Sequence, residues 1–226
     1  MLRLEVESLD GGRRKLRMGE GFFTGYRRNV IKESEILVSL FIQKTTNDQH
    51  FLAFKQAKRR DDDIAIVNAA FNVQFKAGTD IVDDMQVSFG GMAPITILTP
   101  KTSAAVKGKT WDQNFVEIVN TNLVDEIPLS AGAPGGMILY RRSLTLSLFF
   151  KAFLAISQKL EKTLNKSILS DRERSGADTF HTLVPKSTQL FEVIIFQLIE
   201  DSLLNNHIYF RKFLKINHNL NLYVVL

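Results

Sequence analysis

The densest concentration of chemically capable side chains is the stretch Phe54 to Ala65, FKQAKRRDDDIA. Lys58, Arg59 and Arg60 run directly into Asp61, Asp62 and Asp63, with Lys55 upstream and apolar, strand-like sequence on both sides. Two strands flanking such a loop would present a compact dipolar patch on a rigid frame, a way of offering charge to a ligand. Taken alone, a charge run reads as a solvated face. Other chemistry is sparse. His50, His181, His207 and His218 show neither the i,i+4 pairing nor the carboxylate spacing of a zinc site. No Ser/His/Asp or Cys/His arrangement stands out. Any reaction here would come from a bound cofactor, with the protein supplying binding, orientation and electrostatics.

The elements that must position this loop read clearly. Leu2, Leu4 and Val6 alternate with Arg3, Glu5 and Glu7, Asp10-Gly11-Gly12 turns the chain, and Arg14 to Met18 alternates again, which predicts a β-hairpin. Strand sequence from the first residues suggests a chain that starts inside a domain. Gly19 to Tyr26 is a glycine-rich aromatic turn whose glycines do not fit the G-x-G-x-x-G dinucleotide fingerprint. Strands are predicted at Glu35 to Ile42 and Phe51 to Ala57. Val67 to Phe75 and Met85 to Phe89 then alternate at period two around the turn Ala77 to Asp80, giving an antiparallel hairpin that ends at Gly90-Gly91.

Helices follow. Thr99 with Pro100 marks one N-terminus, Thr110 to Gln113 fits a capping box, and that helix stops before Pro128. The loop Ala131 to Gly136 leads into the longest helix, about 138–163, with Leu144, Leu148, Ala152, Ala155 and Ile156 as its buried stripe. Strands first and helices after predict an α+β fold, a small antiparallel sheet packed against a layer of helices.

With 45% hydrophobic and 23% charged residues in 226, the chain has an ordinary globular composition. The absence of cysteine excludes disulfides, thiolate-bound zinc and iron–sulfur clusters held by this chain. Leu144 to Ile156, the longest apolar run, falls short of the ~20 residues needed to span a bilayer. The net charge of +5 is scattered, and its main cluster is answered by three aspartates, so neither a nucleic-acid footprint nor a membrane anchor is expected.

GFFTGYR at 21–27, FKQAKRRDDDIAIV at 54–67, FGGMAP at 89–94 and APGGMILYRRSLTLSLFFKAFL at 133–154 occur in an order that resembles the flavin region of xanthine dehydrogenases, over roughly residues 2–192. The resemblance implies a CO dehydrogenase flavoprotein C-terminal-like α+β fold. It divides the chain into 1–48, the end of an FAD-binding domain; 49–163, the α+β domain; 164–192, a polar linker; and 193–226, a tail outside the pattern. It implies that Leu37 and Lys55 contact FAD, and that Tyr26, Arg59, Asp62 and Ile64 govern the approach of NAD and the charge beside the flavin. Arg60 would help hold the loop in place. The acidic loop distinguishes this pattern from the related aldehyde oxidases, the alternative assignment.

In the intact family, purine oxidation passes electrons through a molybdenum cofactor and iron–sulfur clusters to FAD and then NAD, in a homodimer of the cytoplasm or the peroxisome. The pyrophosphate-binding loop and the molybdenum and iron–sulfur domains have no counterpart here, so the isolated chain is expected to be inactive on purines and to retain no flavin. Residues 193–226 lack Gly, Pro, Ala and Thr and consist largely of residues with AT-rich codons. They read as translated non-coding sequence, or as a tail with a short amphipathic helix at Val193 to Leu204. A non-catalytic interaction fragment and a gene-prediction artefact are the remaining alternatives.

Overall fold

Val67, Ala69, Phe71, Val73 and Phe75 are all buried, while the residues between them are partly or fully exposed. This alternation is the signature of a strand with one face against a core. The computed structural model describes residues 2–19, 21–59, 63–127, 129–178, 213–216 and 222–225. The chain divides into two compact units, one within Gly19–Ile31 and Thr45–Ala177, the other within Met1–Met18, Lys32–Lys44 and Asp178–Leu226. The division is interleaved, with the glycine-rich turn grouped with the larger unit.

The larger unit carries β3 (Phe23–Gly25), β4 (Arg28–Asn29), β6 (Gln49–Gln56), β7 (Val67–Phe75), β8 (Val82–Gly90) and β9 (Ile97–Leu98). The last four form an antiparallel sheet in sequential order, and β3 with β4 makes a separate small hairpin. Its helices are α1 (Pro100–Val106), α2 (Gln113–Glu126) and α3 (Ile138–Leu164), and α4 (Asp171–Asp178) closes it. Trp111 anchors the core: it stacks on Phe153 at 5.2 Å, meets Phe115 at 4.6 Å and Phe75 at 5.4 Å, and its indole N–H donates to Ser157 Oγ at 2.9 Å. Each aromatic pair adds about 0.5–1.5 kcal/mol beyond area burial.

Helix ends follow local chemistry, with two departures from expectation. Asp112, not Thr110, caps α2, its carboxylate accepting from Phe115 N at 2.9 Å. Thr99 is the cap residue of α1, but its side chain does not cap. Glu126 from the end of α2 accepts there instead, from Lys101 N and Thr102 N at 2.7 Å. The buried stripe of α3 is broader than the periodicity shows: Phe149, Phe153 and Leu160 join Leu144, Leu148, Ala152 and Ile156, whereas Ala155 is half-buried.

Within the expected polar linker, Leu169 is buried, and Ser170 and Glu173 cap α4 reciprocally. Leu169 and this capping box mark the start of α4.

The smaller unit holds β1 (Arg3–Ser8), β2 (Gly12–Arg17), β5 (Ile36–Ile42), β10 (Phe213–Ile216) and β11 (Leu222–Val225), all antiparallel in the order β10-β11-β5-β1-β2. Glu35 binds Arg14 through two hydrogen bonds, one at 2.7 Å, and accepts from Lys32 N at 2.7 Å. The Arg14 guanidinium, then the Lys32 N–H, hold the Glu35 carboxyl down at about 2. Val193 to Leu204 lies outside the described residues. Among the described residues, no helix is long and apolar enough to cross a membrane.

Candidate functional site

Lys55 stands at the exposed end of β6, and its ammonium donates to the Asp63 carbonyl at 3.0 Å across the mouth of the charged loop. Asp63 closes that loop. Its carboxylate accepts from Arg59 N at 2.9 Å and from Ile64 N at 2.8 Å, and the Arg59 guanidinium lies 3.8 Å away. The two backbone donors, Arg59 first and Ile64 second, hold its carboxyl below the usual carboxylate range. Ile66 N donates to Gln56 O at 2.7 Å and seals the base. Ile64 itself is 87% exposed, an aliphatic side chain held in water rather than in a core. Arg60 and Asp62 lie outside the described residues.

The strand register connects this loop to a second feature. Lys55 pairs with Asn68 and Asn68 with Gly90, forming one row across β6, β7 and β8 on the face away from the helices. At about 4.8 Å per strand, the row carries Lys55 to within roughly 10 Å of Gly90. Asn68 and Gly90 also line a cleft of about 1260 Å³. The Asn68 amide lies over Gly90, where any Cβ would fall 2.2 Å from its Oδ1. Among the described residues that amide makes no side-chain hydrogen bond that would occupy it.

Three turns widely separated in sequence form the cleft: the β3–β4 hairpin, Gly90 to Thr96, and Leu129 to Gly135. Arg141, buried on the first turn of α3, ties two of them together. Its Nη1 donates to Gly91 O at 2.8 Å, its Nη2 to Pro134 O at 3.0 Å and its Nε to Gly136 O at 2.8 Å. Gly91 has φ +83°, and an added Cβ would lie 2.2 Å from Ile66 O, so only glycine lets the strands approach there. Tyr26, at the tip of the small hairpin, is 68% exposed with the Arg27 guanidinium over its ring.

Of the residues singled out in the sequence, Lys55, Arg59 and Ile64 therefore gather at one loop, and Tyr26 stands in the cleft that their strand row reaches. Leu37 sits on β5 in the other unit, half-buried and paired with Val6 beside a slip in register. Asp63 as a latch and Asn68 as an open amide were not evident in the sequence. A third acid in a run, and a polar residue on the open face of a strand, carry no local mark of either role. Among the described residues the ammonium has one protein acceptor and the amide is unoccupied, which offers donors and an acceptor suited to a polar heterocyclic ring edge.

Residues 52–156 match the family model of the CO dehydrogenase flavoprotein C-terminal domain. The fold agrees: a carbon monoxide dehydrogenase from Hydrogenophaga pseudoflava superposes with TM-score 0.55 at 18% identity, covering 73% of this chain and 51% of that one. Residues 52–156 thus have a CO dehydrogenase flavoprotein C-terminal-like fold, mixed helix and antiparallel sheet. More particularly, the chain is similar to the xanthine dehydrogenase of Drosophila pseudoobscura pseudoobscura, 55% identical over 195 residues, 84% of this chain and 14% of that protein. It is also 41% identical over 156 residues to the nicotinate hydroxylase hnxS of Emericella nidulans, covering 67% of this chain and 12% of that protein. The chain spans 14% of the length of the first curated relatives it matches, and the matched segment is that of the FAD-binding region.

Proposed function

We propose that this chain is the flavin-side segment of a xanthine dehydrogenase-type enzyme and helps pass electrons from FAD to NAD. The observation that carries the reading is the row Lys55–Asn68–Gly90, which runs from the charged loop to the cleft bearing Tyr26. FAD, when bound, supplies a hydride for the nicotinamide. The residues of this chain do the rest. Lys55 places a positive charge where the reduced ring accumulates negative charge, and Asn68 offers a donor and an acceptor to the ring edge. Asp63 tethers the backbone of Arg59 and Ile64, with Arg59 contributing charge near the flavin. Tyr26 offers a flat, exposed face to the arriving nicotinamide. By resemblance alone, Leu37 would contact FAD and Asp62 would set the charge seen by NAD.

Similarity to a xanthine dehydrogenase and to a nicotinate hydroxylase over overlapping parts of the chain favours a role common to both rather than choice of the hydroxylated substrate. In the whole enzyme a molybdenum cofactor and iron–sulfur clusters would feed the flavin during purine oxidation, in a homodimer. The test is a fluorescence titration of the 226-residue chain with FAD. Weak binding is expected, lost on purification, and weakened at least fivefold by Lys55→Met with no change in folding. An absence of any saturable quenching by the folded chain overturns the reading.

A further inference from the structure

The sheet edges of this protein are built differently from one another. β9, at one edge of its sheet, is two residues long, too short to offer a ladder. β2, at an edge of the other sheet, carries Arg13, Arg14, Lys15 and Arg17. Shortness and charge are two ways in which edges are kept from pairing. β6 is neither short nor densely charged. It runs for eight residues without proline, and its register with β7 is unbroken from Gln49 to Gln56. Among the described residues no strand lies on its other side, and Phe51 on it is 56% exposed.

The direction of its free backbone groups follows from the ladder. Phe75 N donates to Asp48 O at 2.9 Å, and hydrogen-bonded pairs alternate along an antiparallel ladder. His50, Leu52 and Phe54 therefore turn their backbone groups to β7, whereas Phe51, Ala53 and Lys55 turn theirs outward. Among the described residues nothing bonds those outward groups.

Alongside that edge runs α3. The Lys151 ammonium lies 5.2 Å from the Phe54 ring centroid. Lys159 stands near His50: after burial, its charge is the next influence holding that imidazole below its ordinary pKa, with Asp48 acting oppositely. From Lys151 to Lys159 the helix rises about 12 Å, and from His50 to Phe54 the strand covers about 13 Å, so the two lysines keep step with the edge. Both are exposed, and no carboxylate pairs with either among the described residues.

We propose that β6 accepts an extended segment of a partner polypeptide as an added strand, with two carboxylates four residues apart facing Lys151 and Lys159. Main-chain bonds to Phe51, Ala53 and Lys55 give the affinity, and the acid spacing selects the partner. A second copy of this chain is disfavoured as occupant, because edge-to-edge pairing would bring two lysine pairs together. The surface does not depend on the flavin reading.

The experiment records amide NMR spectra of the 226-residue chain during titration with the capped peptide SETVTES and with its charge-reversed form SKTVTKS. Expected are shifts centred on Phe51, Ala53 and Lys55, slower hydrogen exchange at those amides, and at least fivefold weaker binding of the lysine peptide. Lys151→Glu/Lys159→Glu should invert that preference, while Lys109→Glu, beside the start of β8, should leave it unchanged. Ala53→Pro removes an outward N–H, spares the β7 ladder and should abolish binding of both peptides, with circular dichroism checking the fold. If that variant does not fold, the charge inversion decides alone. No saturable binding, equal binding of the two peptides, shifts away from β6, or binding that survives Ala53→Pro would overturn the proposal. Concentration-dependent shifts of the same amides without peptide would also overturn it, by identifying a second copy as the occupant.

Discussion

The two faces of the β6–β9 sheet are made by the same strands and behave as different materials. One face, with Phe71, Val73, Phe75, Met85, Val87 and Phe89, is packed against α1 and α3 at close to zero exposure. The other carries Lys55, Asn68, Asn72, Gln74 and Gln86 together with exposed Phe51 and Asp84, a mixed polar surface. The first face tolerates almost no change in volume, because its neighbours cannot move to fill a gap. On the second, Asn72 accepts from Gln49, Gln74 accepts from Thr46 and Gln86 donates to Asp84, bonds at a solvated surface that contribute little to stability. A period of two therefore separates what holds the domain from what the domain can do.

The largest test of that contrast is Phe71→Ala, which should cost about 3–5 kcal/mol in urea denaturation, whereas Gln86→Ala on the open face should stay within about 0.5 kcal/mol. Comparable losses at both would show that the open face is structural. Arg141→Leu comes next, at about 3 kcal/mol, since it strands carbonyls that a buried guanidinium now satisfies. Hydrogen exchange should accelerate at 90–92 and 134–137 more than in β7. Uniform acceleration would mean that Arg141 supports the whole domain rather than the cleft.

A smaller effect is expected with pH. Because the Asp63 carboxyl is held low in the folded chain, its latch is complete above the ordinary carboxylate range and loosens as pH falls below it. The amide signals of Arg59 and Ile64 should shift in that window, and Asp63→Asn should abolish the shift. The smallest change in stability, under about 0.5 kcal/mol, is predicted for Lys55→Met, whose effect should appear in flavin affinity instead.

Much of the framework was legible from residue order. The hairpin of β7 and β8 and the 138-onward helix follow from periodicity. Pro100 and the stop before Pro128 marked helix boundaries. The Ser170–Glu173 capping box was equally readable, but the surrounding polar composition outweighed it. Capping by Glu126 was not readable, because a carboxylate 24 residues from Thr102 reaches it only when α1 and α2 pack together. The charged loop stood out by composition, yet its latch, Asp63, could not be told from its two neighbours.

What the sequence determined by itself was local: strand and helix periods, turn glycines and the apolar set that must be buried, since each depends on residues a few positions apart. Only the tertiary structure decided that Tyr26, Gly91 and Pro134 share one cleft, that Arg141 binds two of its turns, and that Lys55 lies in line with Asn68 and Gly90. Those outcomes depend on strand register and helix packing, where one residue of slippage would turn each side chain to the opposite face.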